Sequence, residues 1–458
     1  MNLTKENKMI FLLFVLSTAW FLYQHYIYIN WDFAAYVLNA KYWFAGGSYF
    51  ELIRPPLTPL IIGIFSFIGG WKVSEYLYVL FVAILFLFSS LKLADTLNFN
   101  RLFFYALSLN VYVLLIGTMV GTELLSLCLL EIFISYFLAE KQSGHFLALA
   151  ILTRYNILSM LPLLIYHKNL KIIIKDLVLF SLAWSPWLLY NLVNHGNAFA
   201  SLLDNFALNI AGREHTIHQT FNLLHILSVT NFLTPFFILG LFKIFSLLLK
   251  EKNGLVNILL RRKIEVTMLF VLASTIYSYN SIPIKDPRFL FSMTIPTFYF
   301  SYIGIDSLPK KIRRYSQVFV YLLVIVSLLI SFCIQQMFFV SHDVLEIYKD
   351  SIERLNSLGF SNCSLMSNNW VFLNYLGGPS KPNPTEDLVT YYLGEGETMV
   401  FFREFSYGED KSERLRFFYE KIYEAEYARN QSFFQNLPVV YESSNYTILG
   451  NLTTCKKI

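Results

Sequence analysis

Six charged residues, Asp32, Arg54, Glu123, Arg154, Lys285 and Arg288, stand in or beside apolar stretches of a chain in which only 15% of residues are charged. Asp32 opens the segment N-W-D-F-A-A-Y-V-L-N-A-K-Y-W and has two readings. As a helix N-cap its oxygen accepts a backbone N–H. As a carboxylate held at a membrane surface it takes a proton from an incoming hydroxyl, the work of a general base. Arg54 lies in E-L-I-R-P-P-L-T-P-L, where two prolines impose extended backbone and exclude a helix before the next apolar block. It either meets an anion such as a lipid phosphate or snorkels with no specific ligand. Arg154, with Thr153 and Asn156, sits halfway along an apolar block. A guanidinium there is costly and is paired or wet, so it binds an anionic group or pairs with Glu123 or Glu131. In R-E-H-T-I-H, Glu214, His215 and His218 share a face if helical and are candidates for a divalent metal. Acceptor binding and plain loop structure are the other readings of that segment.

The elements that must carry these residues follow from composition. The chain has 458 residues, is 55% hydrophobic and has a mean hydropathy of +0.49, and its charged share falls below the quarter expected of a soluble domain. An ordinary cytosolic enzyme is excluded. Apolar residues gather in blocks near the length that spans a hydrocarbon core of roughly 30 Å. The first runs from Met9 to about Ile29, and the others cover about 56–70, 74–94, 102–118, 121–139, 145–166, 176–195, 226–249, 264–282, 288–306 and 315–339. The first follows Lys5 and Lys8 and has no small-residue cleavage site before Trp31, so it reads as a retained span with a cytoplasmic N-terminus. Blocks 56–70 and 145–166 are each one crossing or a broken, partly re-entrant pair. The polar trio in the latter favours a break lining a cavity.

Lys and Arg in short loops mark the cytoplasmic side. Three clusters do so: Lys168, Lys171 and Lys175; Lys250, Lys252, Arg261, Arg262 and Lys263; and Lys310, Lys311, Arg313 and Arg314. Segments 30–55, 196–225 and 283–288 then lie outside, with everything after 340. In the first of these, Phe33, Tyr36, Val37, Ala40 and Phe44 repeat at helical spacing. They predict an amphipathic helix in the interface, anchored by Trp31 and Trp43.

From residue 341 onward there are 11 Lys and Arg against 16 Asp and Glu, which leaves 25 against 15 before it, so two compartments are implied. The tail carries N-x-S/T sequons at Asn362, Asn430, Asn445 and Asn451. Of the four cysteines, Cys128 and Cys333 lie in apolar runs, while Cys363 and Cys455 either form a disulfide or remain free thiols. A helix near 343–357, strands near 363–368, 399–404, 438–441 and 445–450, and a helix near 411–427 predict a small α/β domain. The expected architecture is a mainly α, polytopic helical membrane domain over 1–340, with about 10–12 membrane segments. An extracytoplasmic α/β domain over 341–458 completes it.

The order of landmarks resembles a family. A first span, an external Asp before a tyrosine-bearing amphipathic helix, here Asp32 and Tyr36, and R-P-P-L opening the next segment are similar to the GT-C membrane glycosyltransferases. Within these, the protein O-mannosyltransferase and aminoarabinose transferase type fits best. T-M-V-G-T-E-L-L-S-L at 118–127 resembles that family's second acidic position, at Glu123. L-A-I-L-T-R-Y-N at 149–156, W-S-P-W-L-L-Y-N at 184–191 with the following His195-Gly196-Asn197, and K-D-P-R-F-L-F-S-M-T-I-P at 285–296 resemble further family segments. Phe33 replaces the second acid of the family's D-E pair, Phe289 replaces the tyrosine after the arginine, and the external tail is not a shared hallmark.

The resemblance implies inverting transfer of a sugar from a polyprenyl (dolichyl) phosphate donor to a protein, lipid or glycan acceptor on the external face. Asp32 is then the first choice for the base, and Glu123 the second catalytic carboxylate. Arg54, Arg154, Lys285 and Arg288 are the phosphate contacts, and Tyr36 contacts substrate. A transporter or flippase of lipid-linked glycans is the rival function, but no internal repeat of broken helices supports it. A catalytically dead relative with a partner-binding tail is a third reading. No P-loop or dinucleotide fingerprint is present, so neither a soluble nucleotide cofactor nor a nucleic-acid partner is indicated.

Overall fold

The computed structural model describes residues 4–167, 169–211, 219–250, 261–339, 342–384, 388–402, 437–451 and 453–457. Contacts divide the chain into two compact units. One comprises the described residues of 1–26, 52–210 and 219–336; the other is built mainly from 27–51 and 337–458.

The first unit is helical. Its elements are α1 (Lys5–Ile27), then, after α2 (Trp31–Ala45) of the other unit, α3 (Leu57–Thr96), α4 (Arg101–Ser108), α5 (Val111–Ile116), α6 (Glu123–Leu138), α7 (Gly144–Ile151), α8 (Leu170–His195), α9 (Ala200–Phe206), α10 (Leu223–Thr230), α11 (Thr234–Leu249), α12 (Lys263–Ser281), α13 (Thr294–Asp306) and α14 (Lys310–Ile334). Among the described residues five stretches, Lys5–Ile27, Leu57–Thr96, Leu170–His195, Leu223–Leu249 and Lys310–Met337, are long and apolar enough to cross a membrane. Several predicted blocks are instead interrupted.

Each interruption has a local cause. Blocks 56–70 and 74–94 are the two arms of α3, joined where Gly69 and Gly70 leave helical geometry, Gly70 with φ +77°. Only glycine adopts that conformation without strain, and the arm before it is too short to span the hydrocarbon core. Block 145–166 breaks at the polar trio, as its sequence suggests: α7 ends at Ile151 and a 3-10 helix resumes at Tyr155. Asn110 caps α5 and splits block 102–118. Around α6 nearly every residue is buried, whereas Phe67, Val193, Phe242, Leu249 and Tyr277 are exposed large hydrophobics. An apolar exterior is what a lipid-facing surface requires.

The second unit is α/β. After α2 it contains α15 (His342–Ser357), β1 (Leu365–Ser367), α16 (Trp370–Tyr375), β2 (Ser380–Pro382), α17 (Val389–Gly394), β3 (Thr398–Phe402), β4 (Val439–Glu442) and β5 (Tyr446–Leu449). The sheet order is β2-β1-β3-β5-β4, with β1 parallel to both β2 and β3 and β5 antiparallel to both β3 and β4. The short strand β2 was not evident from sequence because Ser-Lys-Pro is poor strand chemistry; proline is tolerated there because β2 is an edge. The helix predicted near 411–427 lies outside the described residues. Cys363 and Cys455 form a disulfide, Cα atoms 5.6 Å apart, which closes the end of the chain onto the start of the sheet.

The largest correction concerns α2. Its periodic residues Phe33, Tyr36, Val37 and Ala40 are buried, but so are Trp31, Ala34, Ala35 and Leu38 on the opposite face. Those four belong to the core of the second unit with Tyr348, Trp370, Phe372, Val400, Phe402 and Tyr446. Trp31 packs edge-on against Trp370 at 4.9 Å and Phe372 at 5.5 Å, so it is a core residue and not an interfacial anchor. Periodicity missed this face because its alanines are small, and small residues admit close packing without a strong apolar signal.

Candidate active site

In the second unit, α2 presents Asp32. Asn30 is the N-cap, its side-chain oxygen accepting from the Asp32 N–H at 2.9 Å. The capping reading of Asp32 therefore fails: the aspartate stands inside the first turn and is partly exposed. One turn on, Tyr36 is buried. Further along, Asn39 fixes the loop that follows, its amide exchanging hydrogen bonds with the Glu51 backbone at 2.9 Å in both directions.

In the first unit, segments far apart in sequence converge. The head of α6, the break after α7, the P-P-L-T start of α3 and the K-D-P-R loop meet through hydrogen bonds. Tyr78 of α3 donates to the Gly121 carbonyl and lies 3.3 Å from the Thr58 hydroxyl. The Leu57 N–H donates to the Leu152 carbonyl at 3.0 Å. Tyr112 of α5 donates to the Pro287 carbonyl at 2.5 Å. The W-S-P-W helix joins the same group, Trp187 donating to the Tyr155 hydroxyl at 2.9 Å. On α9, which follows it, Ser201 lies 2.6 Å from that hydroxyl, and Asn205 donates to the Ile53 carbonyl at 3.0 Å, beside Arg54.

At the centre of this group Arg154 donates to the Glu123 carboxylate, and their side chains are 10% and 1% exposed. A second nitrogen of Arg154 reaches the Arg288 carbonyl at 3.4 Å. Glu123 also accepts from the Thr122 hydroxyl at 3.2 Å. Of the two acids considered for Arg154, Glu131 is engaged elsewhere, by Ser89 at 2.5 Å and Ser90 at 3.2 Å.

The K-D-P-R loop shows a division of labour. Asp286 caps the 3-10 helix Pro287–Met293 and pairs with Arg288, Nε to Oδ2 3.2 Å. Lys285 points the other way: its ammonium donates to the carbonyls of Tyr279 at 3.3 Å, Asn280 at 2.7 Å and Ile282, at the C-terminus of α12. Burial lowers its pKa. Cations suit that helix end, and Lys285 thereby holds the loop that presents Arg288. Arg54 is partly buried in the turn before α3.

Sequence reading missed a second buried polar group. His25 of α1 and Glu75 of α3 lie 3.0 Å apart, each side chain 3% exposed, and Lys72 is 3.4 Å from the same carboxylate oxygen. Next to them Gln24 accepts from Thr118 at 3.0 Å and donates to the Leu115 carbonyl at 2.7 Å. A histidine and a glutamate inside apolar blocks were the available signal. Glu214, His215 and His218 lie outside the described residues, and among the described residues no group of three or more His, Cys, Asp or Glu is placed to hold a metal ion.

No protein-family model matches this chain, and no curated protein matches it in sequence. In structure it is similar to ArnT from Cupriavidus metallidurans, whose crystal structure is bound to undecaprenyl phosphate; the TM-score is 0.60 at 9% identity, over 96% of this chain and 97% of that one. At that identity the likeness shows the fold alone: a mainly helical architecture with a small C-terminal sheet region, the class expected from the sequence.

Proposed function

We propose that this chain is a membrane glycosyltransferase that moves a sugar from a polyprenyl phosphate to a hydroxyl of a protein, lipid or glycan acceptor. The observation that carries this reading is a GT-C fold along nearly the whole chain, in which the separate landmarks are hydrogen-bonded together. The structural relative binds a lipid phosphate, undecaprenyl phosphate, which supports a lipid-linked donor here.

The reaction is a single displacement at the anomeric carbon. The acceptor oxygen forms the new bond, the bond to the phosphate oxygen breaks with its electron pair leaving on the lipid phosphate, and the hydroxyl proton passes to a base. Asp32 is assigned as that base, with Tyr36 as a substrate contact on the same helix. Arg54 and Arg288 stabilise the leaving phosphate. Arg154 and Glu123 act with them as a buried pair that sets the position of the Arg288 backbone. Lys285 contributes by holding its loop. The donated unit is a hexosyl or pentosyl group.

The membrane domain extends to about residue 340, with the N-terminus cytoplasmic and the α/β domain outside. The Cys363–Cys455 disulfide supports that orientation, because such bonds persist in oxidising compartments. To test the reading, membranes containing the protein are incubated with a panel of radiolabelled polyprenyl-phosphate sugars. Transfer of one label to an endogenous acceptor, absent in membranes without the protein, is expected; label retained on every donor refutes the assignment.

A further inference from the structure

We propose that Asn369 and Asn383, at the carboxyl edge of the parallel strands in the second unit, form a binding subsite for a neutral saccharide. Strand β1 leads through α16 to β2 on one flank, and β2 leads through α17 to β3 on the other. The direction of winding therefore reverses between β1 and β3, so Asn369, which follows β1, lies beside the switch point and Asn383, which follows β2, lies on its outer flank. In open α/β sheets, ligands bind beyond the carboxyl ends of strands at such a reversal.

The residues at this edge are unusual. The last parallel pair of β1 and β2 is Ser367 with Pro382, so Asn368 and Asn383 are the first residues past the ends of the two strands, and Asn369 comes next. Asn368 is fully used: its amide donates to the Phe402 carbonyl and accepts from the Phe402 N–H, both at 2.9 Å, which ties the ends of β1 and β3. Asn374 and Ser380 likewise bond each other and the Trp370 carbonyl. Asn369 and Asn383 differ. They are 0% and 5% exposed, and among the described residues neither the oxygen nor the nitrogen of either amide has a hydrogen-bond partner. Folded domains rarely leave such groups unmatched, and here four such atoms fall in two residues that follow adjacent parallel strands, while Asn368, Asn374 and Ser380 are satisfied.

The chemistry selects the ligand class. An anion would call for Arg, Lys or converging N–H donors, whereas two primary amides are neutral and each both donates and accepts. A sugar hydroxyl is also donor and acceptor at once, and neighbouring hydroxyls on a ring match the two functions of one amide. This inference does not rest on the transfer reading, since binding here requires no donor and no turnover.

The test uses the full chain purified in a detergent without a sugar head group. Hydrogen–deuterium exchange is followed by mass spectrometry in peptides covering 365–384, with glucose, galactose, mannose or N-acetylglucosamine at millimolar concentration and inorganic phosphate as the anionic comparison. At least one sugar is expected to slow exchange in those peptides, and Asn383→Leu to weaken that effect at least tenfold. Where N383L fails to fold, N383S serves in its place. Protection by none of the sugars, protection by phosphate alone, or unchanged sugar binding in the variant overturns the proposal.

Discussion

Arg154 donates to the carboxylate of Glu123, and the two side chains form a buried ion pair between the head of α6 and the break that follows α7. Removing one partner of such a pair leaves an uncompensated charge, at a cost of about 3–5 kcal/mol, whereas replacing both with apolar groups is often tolerated. Glu123→Gln should therefore lower the thermal midpoint of the detergent-solubilised protein more than the double substitution Glu123→Leu with Arg154→Met. A single variant as stable as wild type would mean that the pair does not hold these segments together.

The two roles open to Asp32 separate experimentally because Asn30, not Asp32, caps α2. Asp32→Asn should leave stability within about 1 kcal/mol, the scale of a charge at a helix end, and reduce sugar transfer by about 10²–10⁴-fold, the scale of a lost base. Asn30→Ala should do the reverse, costing about 1 kcal/mol of stability while transfer persists. Full activity in the aspartate variant would end its assignment as the base.

These contrasts indicate how much was legible in the sequence. The fold class was legible from the apolar blocks and landmark order, and Glu123 and Arg154 do pair, because charge inside an apolar chain is kept only where it is paired or used. The link to Arg288 runs through its main-chain carbonyl, which no charge pattern reports. Three things were hidden. The Asn30 cap was masked by an equally good capping residue two positions later. The burial of the Trp31 face of α2 depends on Trp370 and Phe372, more than 300 residues away, and no local period reports that. Lys285 reads as a phosphate ligand by charge alone, yet its partners are carbonyls only three to six residues back, a local geometry invisible until the end of α12 is placed.

The disulfide makes the second unit sensitive to reduction. Cys363 and Cys455 are 92 positions apart, so their link removes a large loop entropy from the unfolded chain. Loss of a native disulfide costs about 2–5 kcal/mol. Cys363→Ser with Cys455→Ser should lower the unfolding midpoint of the oxidised protein toward that of the reduced wild type. Equal midpoints for oxidised and reduced wild type would show that the bond contributes nothing.

Acid should loosen the loop between α6 and α7. Burial there would raise the Glu140 pKa, but hydrogen bonds from Lys263 at 2.5 Å and His167 at 3.0 Å outweigh it and the net shift is downward. A carboxylate with a depressed folded pKa contributes stability that is complete above its unfolded value, about 4.3, and is lost as pH falls through the folded pKa. Stability measured from pH 6 downward should decline more steeply in wild type than in Glu140→Gln below about pH 4. Parallel curves would refute the linkage.

The contact between α11 and α13 is set by two glycines facing each other's backbone. A Cβ on Gly240 would lie 1.8 Å from the Phe300 carbonyl oxygen, and one on Gly304 would lie 2.0 Å from that of Phe236. Alanine is normally favoured over glycine in a helix by about 1 kcal/mol; here the clash is with main chain, which cannot rotate away, so overpacking of about 1–3 kcal/mol or more should decide the sign. Gly240→Ala and Gly304→Ala should each destabilise. Because either one already forces the helices apart, the second should add less than its cost alone, a coupling of the kind expected for residues in contact. Thermal midpoints of the two single variants and the double one measure this, and strictly additive losses would show that the glycines do not report the same close approach.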